Sequence, residues 1–112
     1  MYEYKAFVKR VIDGDTCEVI IDLGFSITFQ TTLRFSRIDA YEKTLRSGQT
    51  EAEKALGLAA TAYLANLIEG QTVTIQTSKQ GKYGRYLAEI IYQDTNINDS
   101  MVKLGYAHYT GG

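Results

Sequence analysis

The sequence predicts a small α+β domain, mainly β, built on an antiparallel barrel. Three observations lead there. The first third of the chain is rich in strand-like runs broken by turn signals, one alanine-rich helical stretch follows, and later strand-like runs lack the βαβ alternation of a parallel sheet. With 112 residues, 45% of them hydrophobic, one modest core and a single domain over residues 1–112 are expected.

The elements follow in order. Tyr4 to Ile12 reads as a strand, Asp13 and Gly14 as a turn, and Thr16 to Leu23 as a return strand rich in β-branched residues. Gly24 opens a second turn. From Ser26 to Phe35, Ile27, Phe29, Thr31, Leu33 and Phe35 fall on one face, as in a half-buried strand. Thr50 and Glu53 form a capping-box pattern ahead of a helix from Glu51 to Ile68, which Gly70 ends. Thr72 to Thr77 and Tyr86 to Tyr92 read as two more strands. Asn96 or Asn98 then caps a short helix running to Leu104, with Gly105 behind it.

Charge and composition remove several classes of function. Twelve basic residues against thirteen acidic ones give a net charge of -1, so no global positive field gathers a polyanion. Attraction for nucleic acid must be local, and its candidates are Lys43 and Arg46 in one loop and Lys79, Lys82 and Arg85 in another. No apolar run approaches the roughly 20 residues that span a bilayer, and MYEYKAFVKR lacks the apolar stretch of a secretory leader. The expectation is therefore a cytoplasmic protein without a membrane partner. Cys17, the single cysteine, excludes an internal disulfide and a cysteine zinc cluster; within its apolar run it reads as a small buried side chain. His108 has no partner at metal-ligand spacing and reads as a surface or edge residue. Neither a Ser-His-Asp set nor a P-loop or dinucleotide fingerprint is present.

Five charged residues in three short segments carry the chemistry. They are Asp15 in IDGDT, Arg34 with Asp39 and Glu42 in LRFSRIDAYE, and Arg85 in KYGR. Carboxylates hold hard divalent cations or orient a water, and guanidiniums clamp charge developing on phosphorus. Each segment alone has a plainer account. Asp13 and Gly14 make a hairpin turn, Arg34 can be a solvent-facing strand residue, Asp39 and Glu42 can be an acidic turn, and Tyr83 to Arg85 can be a connection between strands. Asp15 stands out because it follows a completed turn and opens a strand, where aspartate is disfavoured. Arg34 and Asp39, five residues apart, would face opposite sides of a flat strand, so their convergence requires a bend near Arg37. Tyr83 offers a ring to a base and a hydroxyl to a phosphate, and Tyr109 is a weaker candidate of the same kind.

In order and spacing these segments resemble the staphylococcal nuclease (thermonuclease) family. The matching stretches are VIDGDT at 11 to 16, LRFSRIDAYE at 33 to 42, GQTEA at 48 to 52, KYGRYLAEI at 82 to 90 and INDSMVKLGYA at 97 to 107. The resemblance implies a five-stranded OB-fold barrel with two or three packed helices, and calcium-dependent hydrolysis of DNA and RNA that leaves 3′-phosphate and 5′-hydroxyl ends. It implies calcium on the carboxylates of Asp15 and Asp39 and the backbone carbonyl of Ala40. Glu42 takes the position of the group that deprotonates or orients water, Arg34 and Arg85 the phosphate-binding positions, and Lys82 and Tyr83 those of neighbouring substrate contacts. Substituting either arginine is accordingly expected to cost catalysis and not folding.

Three departures from the family pattern bear on the site. Tyr41 stands where the family commonly has proline, Gly81 replaces a common acidic residue, and the sequence stops before the third helix and its nucleotide-contacting tyrosines. A thinner base-stacking surface, or a homodimer that completes it, is the expectation. A noncatalytic OB-fold module binding nucleic acid, or a protein-binding domain, is the alternative, and retention of all five charged residues speaks for the nuclease.

Overall fold

A computed structural model of the protein describes residues 2–41, 50–80 and 86–110, with residues 78–80 described by backbone alone. The first two strands, β1 (Tyr2–Asp13) and β2 (Thr16–Gly24), form an antiparallel hairpin, and β3 (Ile27–Phe35) pairs with β2 on its other edge. After the short β4 (Ile38–Ala40) and helix α1 (Glu51–Ile68) come β5 (Thr72–Gln80) and β6 (Tyr86–Tyr92). The chain then runs through β7 (Thr95–Asn96), helix α2 (Ile97–Lys103) and β8 (Ala107–Tyr109).

The main sheet has the order β3-β2-β1-β5-β6-β7, and a parallel contact of β3 with β6 closes it. Closure is short, pairing Leu33 with Tyr86, Arg34 with Leu87 and Phe35 with Ala88. Five strands therefore make a closed barrel, and with the two helices this is the OB-fold α+β arrangement the sequence led us to expect. A separate ribbon pairs β4 with β8 and sets Asp39 opposite His108.

Period-two alternation fills the barrel. Ala6 and Val8, Cys17, Val19 and Ile21, Leu33 and Phe35, Val73 and Ile75, and Ala88 and Ile90 are all buried. Helix α1 contributes Gly57, Ala60, Leu64 and Ile68, one stripe at helical spacing. Its capping box is made as the sequence predicts. The Glu53 amide donates to Thr50 Oγ1 at 3.1 Å, and the Thr50 amide donates to Glu53 Oε1 at 3.1 Å. At the other end the Gly70 amide donates to the Val8 carbonyl at 2.8 Å, tying the helix exit to β1. Burial pushes the Cys17 thiol up to about 12, in keeping with a packing role.

Several boundaries differ from the pattern-based expectation. Asp13 pairs with Thr16, so the turn is Gly14–Asp15 and Asp15 belongs to it instead of opening the next strand. Gly14 does not take a positive φ. Its glycine answers a steric demand, because a Cβ there would meet Ala60 Cβ at 2.9 Å and Ala40 Cβ at 3.0 Å. β5 continues to Gln80, and the strands β4, β7 and β8 are only two or three residues long, too short to display alternation.

Polar side chains brace α2 against the barrel. Asn96 caps the helix by accepting from the Asp99 amide at 3.0 Å. Asn98, fully buried, accepts from the Ile90 amide at 3.0 Å and donates to the carbonyls of Ser36 at 2.9 Å and Ala88 at 3.1 Å. Arg37 donates to Glu89 Oε2 at 2.8 Å and Oε1 at 2.6 Å, and to Asp99 Oδ1 at 3.0 Å. Partial burial pushes the Glu89 carboxyl up, but hydrogen bonds from Arg37, Ser36 and Asn96 more than reverse this and bring its pKa from 4.5 down to about 2.

Two expectations follow. Gly14→Ala is overpacked against α1 and β4 and should lose about 1–3 kcal/mol of stability, read as a lower urea midpoint at unchanged slope. The depressed Glu89 pKa means that its contribution is fully present above pH 4.5 and is lost as pH falls towards about 2. In Glu89→Gln, stability measured by urea titration should accordingly fall less across that interval than in the wild type.

Candidate functional site

The β1–β2 turn, the end of β3 and the start of β4 meet at one rim of the barrel. Thr16 lies opposite Arg34 in the β2–β3 register, which brings the turn residue Asp15 beside the arginine. The Phe35 amide also donates to the Asp15 carbonyl at 2.7 Å, locking the turn to β3. After Phe35 the chain reverses through Ser36 and Arg37, and Arg37 takes φ 68. This left-handed residue supplies the required bend, so Asp39 returns towards Arg34.

Arg34 joins the two carboxylates. Its Nη1 donates to Asp15 Oδ2 at 2.6 Å and its Nη2 to Asp39 Oδ1 at 3.0 Å. A longer contact of 3.4 Å runs from Nη2 to the Ile38 carbonyl. Partial burial works against the guanidinium's charge, but Asp15 and then Asp39 outweigh it and raise its pKa. Asp15 is 7% exposed, and both its oxygens are occupied. Oδ1 accepts from Thr16 Oγ1 at 2.8 Å, and Oδ2 accepts from the Ala40 amide at 2.9 Å as well as from Arg34. The Asp39 side chain is 46% exposed, with His108 Nε2 at 3.9 Å from its Oδ2.

Of the residues expected at the site, Asp15, Arg34, Asp39 and Ala40 come together. Glu42, Lys82, Tyr83 and Arg85 lie outside the described residues, as do Lys43, Arg46 and the side chain of Lys79. Tyr109 donates its hydroxyl to Asp99 Oδ1 at 2.8 Å and carries the Arg37 guanidinium over its ring at 5.7 Å. It is thus engaged in bracing α2. Sequence reading missed the approach of His108 to Asp39, which depends on the β4–β8 ribbon and has no signature in local spacing.

One expectation changes. Arg34 was expected to matter for catalysis and not for folding, yet it is the counterion of a buried carboxylate. Removing it leaves Asp15 desolvated and short of a donor.

The oxygen-only character of the cluster suits a hard dication better than a soft one. Asp15 and Asp39 already share one cationic group, and no thiolate or imidazole stands at bonding distance. They are two carboxylate ligands, and among the described residues no group of three or more His, Cys, Asp or Glu side chains comes together. A flexible oxygen-seeking ion fits such a partial set because waters and substrate oxygens complete it.

The fold and this rim define a class: an OB-fold barrel bearing an arginine-bridged pair of carboxylates. Residues 32–111 match the staphylococcal nuclease homologue family, and the chain belongs to that family. It is similar to Endonuclease YhcR of Bacillus subtilis, with 34% identity over 111 residues that cover 94% of this chain and 9% of the relative. An uncharacterized endonuclease of Escherichia coli is 34% identical over 101 residues, covering 89% of this chain and 57% of that protein. An uncharacterized protein of Methanocaldococcus jannaschii is 30% identical over 120 residues, covering 93% of this chain and 58% of its own length. The chain therefore spans little more than half of the latter two relatives and a small part of the first.

Loss of the bridging guanidinium should be visible in stability. Arg34→Ala is expected to lose about 3 kcal/mol at neutral pH by urea denaturation, the low end for a buried pair because Arg34 is partly exposed. The double variant Arg34→Ala with Asp15→Asn should recover part of that loss, because the unpaired charge is then gone.

Proposed function

We propose that the chain is a calcium-dependent endonuclease that hydrolyses phosphodiester bonds of DNA and RNA, leaving 3′-phosphate and 5′-hydroxyl ends. The observation that carries this reading is the sharing of the Arg34 guanidinium between Asp15 and Asp39 in a member of the staphylococcal nuclease family. Calcium would be held by the carboxylates of Asp15 and Asp39 and the carbonyl of Ala40, where it would polarise a phosphoryl oxygen and balance its charge.

The protein's own groups divide the remaining work. Glu42 deprotonates or aligns the attacking water, and Arg85 holds a second phosphate oxygen. Arg34 has a firm arm and a loose one. The Nη1 bond to buried Asp15 is 2.6 Å, whereas Nη2 reaches half-exposed Asp39 at 3.0 Å. The second arm is the one that turns to a phosphate oxygen while the first keeps the guanidinium aimed. Lys82 and Tyr83 contact the flanking nucleotide. Departure of the 5′ oxygen in line with the incoming water gives the stated ends.

The alternative is a noncatalytic OB-fold module that binds nucleic acid or protein. Its support is that Arg34 bridges both carboxylates, an arrangement that a purely structural ion-pair cluster also adopts.

Cleavage of single-stranded DNA, duplex DNA and RNA, with calcium and with a chelator, decides between them. The expected result is calcium-dependent cutting that falls by roughly 100-fold or more in Glu42→Gln. Absence of cutting, together with a melting temperature that calcium does not raise, would leave the binding module.

A further inference from the structure

β3 is longer than the contact that closes the barrel. It meets β6 only over Leu33–Phe35, so among the described residues the stretch 27–32 has a strand partner on one edge alone. The Phe35 amide points to the Asp15 carbonyl and the Ser36 amide to the Ala88 carbonyl on β6. By alternation Thr28, Gln30 and Thr32 turn their main-chain donors and acceptors to the open edge. Sheet edges are ordinarily guarded by lysine, proline or a bulge. Residues 23–33, LGFSITFQTTL, hold no charge and no proline, and β3 pairs with β2 without a bulge of its own.

The hairpin apex is unfavourable in an isolated chain. Phe25 and Ser26 both take left-handed φ, 54 and 62, where a two-residue turn favours Asn-Gly. Phe25 is also 98% exposed, and Leu23, Ile27 and Phe29 beside it keep large apolar surfaces in water. A receptacle for such a ring exists on the same molecule. On the inner face of β3 an open cavity of about 210 Å³ is walled by Tyr2, Tyr4, Phe29, Leu33 and Tyr86, and no charged side chain lines it. An apolar cavity of roughly 150 Å³ already accepts benzene.

We propose that this edge and apex form a dimerisation surface whose occupant is a second copy of the chain, its β3 running antiparallel to this one about a two-fold axis at Phe29. That register sets Thr28 against Gln30, so main-chain groups turned to the open edge meet their counterparts. It also carries the copy's Phe25 to the level of Leu33, where β6 ends the open edge and the cavity walls stand. Each Phe25 ring then fills the cavity of the other chain, an isologous exchange that uses up both edges and closes at two copies. No like charges are brought opposite one another, because the paired stretch has none. Covering the apex and edge removes on the order of 600 Å² from each chain, near the roughly 800 Å² of a standard interface. A lipid surface fits less well, since it leaves the main-chain row unpaired and meets acidic Asp22 beside the apex. Arg34 projects from the opposite face of β3 to Leu33, so this surface does not depend on the phosphodiesterase reading.

Sedimentation equilibrium of the chain over roughly 1 to 200 µM tests the pairing. The expected mass rises across that range from the 12.5 kDa of one chain towards twice that value. Phe25→Asp, at a residue outside the core, should stay monomeric throughout with an unchanged melting temperature. Gln30→Pro removes a donor from the open edge alone and should weaken association roughly tenfold. Under oxidised glutathione, Phe29→Cys should give a disulfide-linked dimer across the axis. Thr31→Cys, whose two copies the same axis holds about 13 Å apart, should not. A wild type that remains monomeric at the highest concentration, a dimer that Phe25→Asp and Gln30→Pro both leave intact, or cross-linking through Thr31→Cys in place of Phe29→Cys would overturn it.

Discussion

A carboxylate taken almost completely out of water needs strong compensation, and Asp15 receives it from three separate stretches of chain. Thr16 supplies a hydroxyl, Ala40 a backbone amide and Arg34 a guanidinium. Transfer of such a group from water costs several kcal/mol, so the donors are held to their places as firmly as they hold the acid. This one residue thereby fixes the β1–β2 turn, the end of β3 and the entry to β4 with respect to one another. Gly14 is what lets the turn come close enough, since any side chain there would collide with Ala60 and Ala40.

Asp39 is placed by a different means. β4 is three residues long and has no strength of its own; its position comes from the left-handed bend at Arg37 and from pairing with β8. Arg37 in turn is held by Glu89 and Asp99, and Asn98 ties the same bend to β6 by donating to Ser36 and Ala88. The two carboxylates near Arg34 thus have unequal mobility by construction. One is buried within its donors, and the other stands half in solvent on a short ribbon braced from behind. A site that must keep a guanidinium aimed and also release part of it to a ligand has use for that inequality.

Periodicity made most of the fold legible. Alternation identified β3, β-branched and apolar content identified β2, and Thr50 with Glu53 marked the first turn of α1 at the residue. The INDSM segment was legible as a family stretch, but its physical role was not. Asn98 and Asp99 act through partners 8 to 62 residues away, and no local pattern encodes such contacts. The same limit hid the turn position of Asp15 and the facing of Asp39 by His108. Both are matters of register, which tertiary packing sets, whereas Asp-Gly signals only that some turn occurs nearby. The need for a bend at Arg37 could be deduced because two residues of odd separation had to meet. A geometric contradiction in a sequence is informative in a way that composition is not.

Cys17 gives the molecule a built-in chemical clock. The thiol is wholly buried, its ionisation suppressed by that burial, and it stands in the barrel wall two residues after Asp15 and directly across from Leu33. A reagent in solution can meet it only when the barrel opens around β2, which β1 and β3 flank, so the rate of alkylation reports how often the framework under the site comes apart. Because the chain has a single cysteine, that signal is unambiguous, and it requires no label, substrate or metal to read.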